Sequence, residues 1–122
     1  MTAPVRLRLS RAKGFDLQAH SRAANGLPAM VVARPGPFGN PFVVGRDGTR
    51  AECVRYHCLL IGRGLILFSA KATMAEQEAT RRALRMRWQQ LSGHNLACWC
   101  ALNGPCHADT LLEAVANMEK RT

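Results

Sequence analysis

The feature that most constrains the fold is a short apolar run that ends in a cluster of reactive side chains just before the last helix. The run Leu96–Cys100 is typical of a buried strand, and apolar residues recur at helical spacing after Pro105, a residue suited to the first turn of a helix. Three cysteines, a histidine and an acid lie at this turn: Cys98, Cys100, Cys106, His107 and Asp109. In open α/β sheets, ligands bind where the carboxyl ends of strands meet helix N-termini.

Two earlier segments also predict strands. Residues 5–9 alternate apolar and basic side chains with a period of two, and residues 28–33 form a continuous apolar run typical of a more buried strand. Residues 10–26 between them are a polar connection. The sequence therefore predicts a single small α/β domain over residues 1–122, with a short, mainly parallel sheet flanked by helices.

Two helices are expected between the second strand and the last one. Thr49 and Glu52 have the spacing of a capping box, which opens a helix that runs to about Gly62 and places Cys53 and Cys58 in the core. Residues 65–68 predict a marginal strand or an irregular apolar segment. A longer helix is expected from Thr73 to Leu91. Its predicted apolar face consists of Ala75, Ala79, Ala83 and Met86, with Leu84, Trp88 and Leu91 beside it.

Composition limits the class of protein. With 122 residues, 48% of them hydrophobic, the chain has no apolar run long enough to cross a membrane and no apolar signal core at its N-terminus. We therefore expect a cytoplasmic protein without a membrane partner. Five cysteines, an odd number, favour free thiols, metal binding or catalysis over a disulfide framework.

The charge predicts an acidic partner. Lys and Arg number 17 against 8 Asp and Glu, a net charge of +9, which favours a nucleic acid, a nucleotide or another phosphorylated ligand. Solubility alone also explains such a charge. Four arginines of the long helix suit either a phosphate backbone or a solvated helix face on which Glu78 pairs with Arg82. They are Arg81, Arg82, Arg85 and Arg87.

A second chemical motif occupies residues 34–49. Three prolines and two glycines in its first nine residues make the loop rigid. Arg34, at the end of a predicted strand, suits the binding of a phosphate or carboxylate. The predicted ligand-binding residues of this loop are Arg34, Gly39, Asn40, Asp47 and Thr49. The alternative is a structured turn that covers the core with Phe38 and Phe42.

Three blocks in combination resemble a known family. They are the Arg-Pro-x-x-x-Gly-Asn-Pro-Phe loop, the Gly-x-Asp-Gly-Thr helix start and the late Cys-Trp-Cys and Pro-Cys-His block. In this combination the chain, from about Met30 to Val115, resembles the uncharacterised family called domain of unknown function 4326, which is common in phages, prophages and bacteria. The resemblance implies no established activity. It places eight residues on family motif positions: Arg34, Gly39, Asn40, Pro41, Cys98, Cys100, Cys106 and His107.

The late block supports three interpretations. Cys98, Cys100, Cys106 and His107 are ligand types that zinc takes in a tetrahedral site, although adjacent residues on a helix, as expected for the last two, diverge by about a hundred degrees. Alternatively, Cys106 is a nucleophile near a helix N-terminus, with His107 as its base and Asp109 orienting the imidazole. In the third, the cysteines are core residues and His107 caps a helix.

Taken together, these features predict a small protein that binds a nucleotide or a nucleic-acid phosphate, with or without catalysis, through a Cys/His site at a strand-to-helix turn. The alternative is a zinc-stabilised module without catalysis that binds nucleic acid or protein through the arginines of the long helix.

Overall fold

A computed structural model describes residues 2–122 of the protein and contains one parallel sheet. Its strands are β1 (Arg6–Arg8), β2 (Ala29–Val31) and β3 (Asn95–Cys98). Their order in the sheet is β1-β3-β2, and β3 pairs in parallel with both neighbours. The predicted α/β class with a short parallel sheet is confirmed. Each strand is shorter than the apolar run that predicted it, so Cys100 lies beyond the sheet, in the turn that follows β3.

Four α-helices are present in residues 2–122: α1 (Leu17–Asn25), α2 (Arg50–Arg63), α3 (Met74–Arg87) and α4 (His107–Lys120). A single 3-10 turn, Trp88–Gln90, continues α3. None of these helices is long and apolar enough to cross a membrane.

The polar connection over residues 10–26 contains α1, a helix that the sequence analysis does not predict. Capping residues mark both ends of this helix. The Asp16 side chain accepts a hydrogen bond from the N–H of Ala19, and Gly26 ends the helix at a φ of 83°. Ser21 is the only fully buried residue of α1, so the helix buries little.

The central strand has a different helix on each face. Alternate residues of β3 point to opposite faces. Leu96 and Cys98 belong to a core cluster with Leu111 and Val115 of α4. Ala97 belongs to the other face, in a cluster that Leu17 of α1 helps to cover. The helix α2 packs against α4 and against α3, and this places α2 beside the site described below.

The helix α2 begins as predicted. Thr49 accepts a hydrogen bond from the N–H of Glu52, whose carboxylate accepts one from the N–H of Thr49, which is a complete capping box. Cys53 is buried, as expected. Cys58 is exposed, so its predicted place in the core is wrong. The buried residues of the helix follow Cys53 by one and two turns, at His57 and Leu60.

The helix α3 buries a different face from the predicted one. Leu84 is buried, but Ala75, Ala79 and Met86 are exposed. The side chain of Gln77 explains the difference. It is buried and bonds the N–H and the carbonyl of Leu67 and the carbonyl of Ala72, so it ties the irregular segment before the helix to α3. Residues 65–68 accordingly form no strand.

Candidate functional site

Three cysteine sulfurs form a compact cluster at the end of β3. The Sγ atoms of Cys98, Cys100 and Cys106 all lie within 4.8 Å of one another, and those of Cys98 and Cys100 are 3.8 Å apart. Two sulfurs that each lie about 2.3 Å from a tetrahedral zinc are themselves about 3.8 Å apart. The three thiols can therefore hold a metal ion with little rearrangement.

Three local structures position these thiols. Cys98 is the last residue of the central strand, and Cys100 follows in the turn. Cys106 is the extended N-cap residue of α4, and its sulfur lies 3.5 Å from the N–H of Ala108. Cys106 thus precedes the helix, as does Pro105, whose predicted place in the first turn is wrong. The predicted divergence of Cys106 and His107 along one helix does not arise, because Cys106 lies outside the helix.

A buried arginine holds the loop that separates Cys100 from Cys106. Arg6 of β1 donates from Nη2 to the carbonyl oxygens of Leu102, at 2.6 Å, and Gly104, at 2.9 Å. The guanidinium thus attaches the loop to an edge strand of the sheet. Its Nη1 atom lies 3.5 Å from a carboxylate oxygen of Asp109.

The three thiols differ in pKa. A hydrogen bond from the Cys106 thiol lowers the pKa of Cys98 to about 7, against the effect of burial. The same bond, together with burial, raises the pKa of Cys106. Burial raises the pKa of Cys100. Of the three thiols, Cys98 therefore loses its proton most readily. The predicted nucleophile, Cys106, is fully buried and holds its proton more firmly than an ordinary cysteine.

His107 lies beside the cluster but is held by other contacts. Its Nε2 is 2.8 Å from the carbonyl oxygen of Val32, and its Nδ1 is 3.9 Å from the sulfur of Cys106. In the described part of the chain, the potential metal-ligand atoms that all lie within 4.8 Å of one another are the three sulfurs. No imidazole nitrogen belongs to this group. The structure therefore gathers three of the four predicted zinc ligands and leaves the fourth next to them.

Asp109 does not reach His107. It is exposed and faces Arg6 instead. The predicted arrangement of Cys106, His107 and Asp109 as nucleophile, base and orienting acid is therefore not assembled, and catalysis by these residues stays a prediction.

A second histidine, missed in the sequence, packs against His107. His57 of α2 is fully buried, its ring centroid is 5.3 Å from that of His107, and neither of its nitrogens has a hydrogen-bond partner. Burial, with a smaller contribution from His107, lowers the pKa of His57 to about 3. Its place inside α2 gave no signal, because a histidine in an amphipathic helix ordinarily lies on the solvated face.

The cluster borders a cavity of about 240 Å³ at the carboxyl end of the sheet. The residues after β2, the N-terminus of α2 and the turn after β3 meet here, so the two motifs of the sequence converge as expected. The lining residues are Ala33, Arg34, Asn40, Phe42, Val44, Arg50, Cys53, Val54, Cys98, Trp99, Cys100 and His107.

Some of the predicted loop residues line the cavity, and others hold the loop in place. Arg34 lines the cavity and is exposed. Asn40 lines it too, but its side chain already donates to the carbonyl of Cys53, at 3.2 Å, and accepts from the N–H of Phe42, at 3.0 Å. Gly39 lies behind Arg34, where an added Cβ would come within 2.6 Å of the Arg34 Cγ and 3.0 Å of its Cα. Phe38 and Phe42 are buried, so the loop also covers the core.

Asp47 and Thr49 do not line the cavity. The Asp47 carboxylate accepts hydrogen bonds from the N–H groups of Val43 and Ala72, each at 2.7 Å, and pairs with Arg46 at 2.9 Å. Burial opposes ionisation of Asp47, but these partners outweigh it and lower its pKa. Thr49 caps α2. Their predicted role in ligand binding stays a prediction, and both have clear structural roles.

Two cavity residues were missed in the sequence. Arg50, the first residue of α2, places Nη1 3.2 Å from the sulfur of Cys100. Its position just after a predicted N-cap was the signal that could have found it. Trp99 is partly exposed at the cavity, and the Arg11 guanidinium lies 4.2 Å from the centre of its ring. Only the tertiary structure brings Arg11 to Trp99.

The arginines of α3 lie elsewhere. Glu78 pairs with Arg81 at 2.7 Å, so the expected pair with Arg82 is replaced by its neighbour. Arg87 lies 5.8 Å from the ring of Phe38, and Arg82 and Arg85 are exposed. None of the four lines the cavity beside the cysteines.

A comparison with known protein families identifies the family of this chain. Residues 16–117 match the family described as Domain of unknown function (DUF4326). The chain belongs to this family. The DUF4326 match begins at Asp16, the N-cap of α1, and so includes a helix that lies before the motifs carrying the resemblance. No curated protein and no solved structure matches the chain. Because the description of DUF4326 names no activity, function has to be argued from the site itself.

Proposed function

We propose that this protein binds zinc through Cys98, Cys100 and Cys106, and that the adjoining cavity binds the phosphate of a nucleotide. The observation that carries the proposal is the placement of the three clustered sulfurs beside a cavity that Arg34 and Arg50 also border. A thiol cluster supplies metal ligands, and two guanidinium groups supply an anion site.

The ligand set favours zinc over other metals. Thiolates are soft ligands, which select zinc, copper(I) and iron–sulfur clusters over magnesium or calcium. Iron–sulfur clusters ordinarily take four cysteines, whereas the described cluster has three. Zinc accepts three protein ligands together with a fourth from another source.

The charges of the cavity favour a phosphate. The Glu52 carboxylate already occupies the N-terminus of α2 by bonding the N–H of Thr49, at 2.9 Å. The attraction for an anion therefore comes from the side chains of Arg34 and Arg50, whose planar guanidinium groups match two oxygens of a phosphate. The net charge of +9 adds a long-range attraction of the same sign.

The size of the cavity suits a single phosphate group. Pockets for small organic ligands usually start at about 300 Å³, and this one measures about 240 Å³. It suits the phosphate end of a nucleotide, with the remainder of the ligand projecting past Trp99. The alternative, a module that binds a nucleic-acid backbone through α3, would lose affinity steeply between low and physiological salt, whereas a single phosphate site would lose little.

Thermal unfolding with ligand tests the phosphate site. We expect AMP, GMP, CMP or UMP at a hundred times its dissociation constant to stabilise the wild type by about 2.7 kcal/mol. Arg34→Ala should abolish this gain, and Arg82→Ala, which removes an exposed arginine outside the cavity, should preserve it. The proposed phosphate site would be overturned if no nucleotide stabilised the wild type, or if Arg34→Ala responded like the wild type.

A further inference from the structure

The clustered thiols leave one position of a tetrahedral metal without a protein ligand. Cys106 is fully buried, whereas Cys98 and Cys100 both line the cavity. The side of the sulfur cluster that faces the cavity is therefore the side that another ligand can approach. A zinc site with three protein ligands keeps its fourth position for water or a substrate.

His107 is a further potential metal ligand beside the cluster, but its contacts hold it in place. The Nε2 is bonded to the Val32 carbonyl at 2.8 Å, and the ring packs edge to face against that of His57. Its Nδ1 lies 3.9 Å from the Cys106 sulfur but outside the group formed by the three sulfurs. Bringing this nitrogen to a shared metal would require movement of a ring that is 5% exposed and packs against His57.

The charges around the cluster determine which ligand suits the fourth position. Three thiolates and one zinc ion carry a net charge of −1. The Arg50 guanidinium lies 3.2 Å from the Cys100 sulfur, and Arg34 borders the same cavity. These two positive charges outweigh the negative charge of the metal centre, so an anionic oxygen can approach the metal without net repulsion.

We propose that the fourth metal position opens into the cavity and is taken by an oxygen of the ligand's phosphate, which Arg50 holds there. This inference rests on the proposed function, since it needs both the metal and the anion site. The binding step is a ligand exchange, in which a water leaves the metal and a phosphate oxygen donates a lone pair in its place. The nucleotide is thus recognised by its phosphate at the metal.

Cobalt(II) in place of zinc makes this exchange visible, because its visible absorption reports the number and kind of its ligands. The full chain is loaded with cobalt(II) and titrated with AMP, with adenosine as the control that lacks a phosphate. We expect a saturable change in the visible bands with AMP and none with adenosine. Arg50→Gln should weaken the apparent affinity for AMP about tenfold while keeping the cobalt. Arg55→Gln, an exposed arginine of the same helix outside the cavity, should behave as the wild type.

The possible outcomes separate the two proposals. A chain that binds no cobalt overturns the proposed metal centre and this inference with it. If the chain binds cobalt, AMP leaves the bands unchanged and His107→Gln alters them, then His107 is the fourth ligand. That result overturns this inference alone. Bands that change equally with AMP and adenosine overturn the phosphate as the metal-bound group.

Discussion

Arg6 is the residue that attaches the loop between Cys100 and Cys106 to the sheet. Its guanidinium, in a side chain 10% exposed, bonds carbonyl groups of the loop between Cys100 and Cys106. Within residues 2–122 no other group donates a hydrogen bond to the carbonyls of Leu102 and Gly104, so Arg6 fixes the path of the loop. Contacts of this kind orient metal ligands and tune metal affinity.

Replacing Arg6 should therefore weaken metal binding more than it weakens the fold. We expect Arg6→Gln to lower zinc affinity by about 10- to 100-fold, as is usual for groups that orient metal ligands. A competition titration with a chromophoric chelator measures this change. Arg8→Gln, which alters the exposed arginine at the end of the same strand, should keep the wild-type affinity. Equal affinities of the Arg6 and Arg8 variants would contradict the role of Arg6.

His57 makes the stability of the protein sensitive to acid. In the folded protein its pKa is about 3, compared with a reference value of 6.5. Below pH 6.5 His57 is therefore protonated in the unfolded chain, whereas in the folded chain it stays neutral until the pH approaches 3. The stability associated with His57 is full above pH 6.5 and falls as the pH drops toward 3.

Substitution of His57 should remove this dependence. At pH 5 the wild type should lose about 2 kcal/mol relative to pH 7 through this residue alone. His57→Phe should lack that loss and be at least as stable at pH 7, because it removes two buried nitrogens without partners. Urea unfolding at both pH values measures the difference. His20→Gln, at an exposed position of α1, should keep the wild-type loss. The same loss in His57→Phe would contradict this account.

At the scale of elements, the loop after β2 depends on a close approach of its own backbone. Gly39 lies against Arg34, with no room for a side chain between them. The glycine therefore acts on the cavity through Arg34, whose position it permits. This is a structural reason for a glycine in a motif that the sequence alone associates with direct ligand binding.

An alanine at position 39 should accordingly disturb both the fold and the anion site. We expect Gly39→Ala to cost about 1–3 kcal/mol, because the contact is partly with backbone atoms that cannot rotate away. It should also reduce the stabilisation by AMP. Gly62→Ala, inside α2 where an added Cβ meets nothing within 4 Å, should be neutral or stabilise by up to about 1 kcal/mol. Denaturant unfolding with and without AMP measures both variants, and equal stabilities would contradict the role of Gly39.

The elements differ in how well the sequence could predict them. β3 and α2 were predictable because apolar runs and a capping box are local signals. The helix α1 was not predicted because it buries few side chains. The predicted buried face of α3 was wrong because Gln77 is buried through hydrogen bonds to the irregular segment that precedes the helix. Local patterns carry no information about such tertiary contacts.

The same limit applies to the site. The cysteines were found because three of them lie close together in the sequence. Arg50 and His57 were missed because they reach the site only through the packing of α2 against α4. Asp109 was assigned to His107 because the two are neighbours in the sequence, although the folded chain turns its side chain toward Arg6.

At the scale of the whole molecule, a metal at the cysteine cluster would add a direct link between the central strand and the last helix, which already share a hydrophobic core. Cys98 ends the central strand, Cys100 lies in the following turn, and Cys106 begins the last helix. In this account the same ion stabilises the junction of sheet and helix and forms one wall of the cavity. Metal binding and folding should therefore be coupled.

The metal content of the purified protein tests the central claim most directly. The protein is prepared without a metal-affinity column, and zinc is measured by elemental analysis and by native mass spectrometry. We predict about one zinc per chain, lost in Cys98→Ser and retained in Cys58→Ser, which removes an exposed cysteine outside the cluster. A folded wild type that contains no metal and binds none when zinc is added would contradict the account.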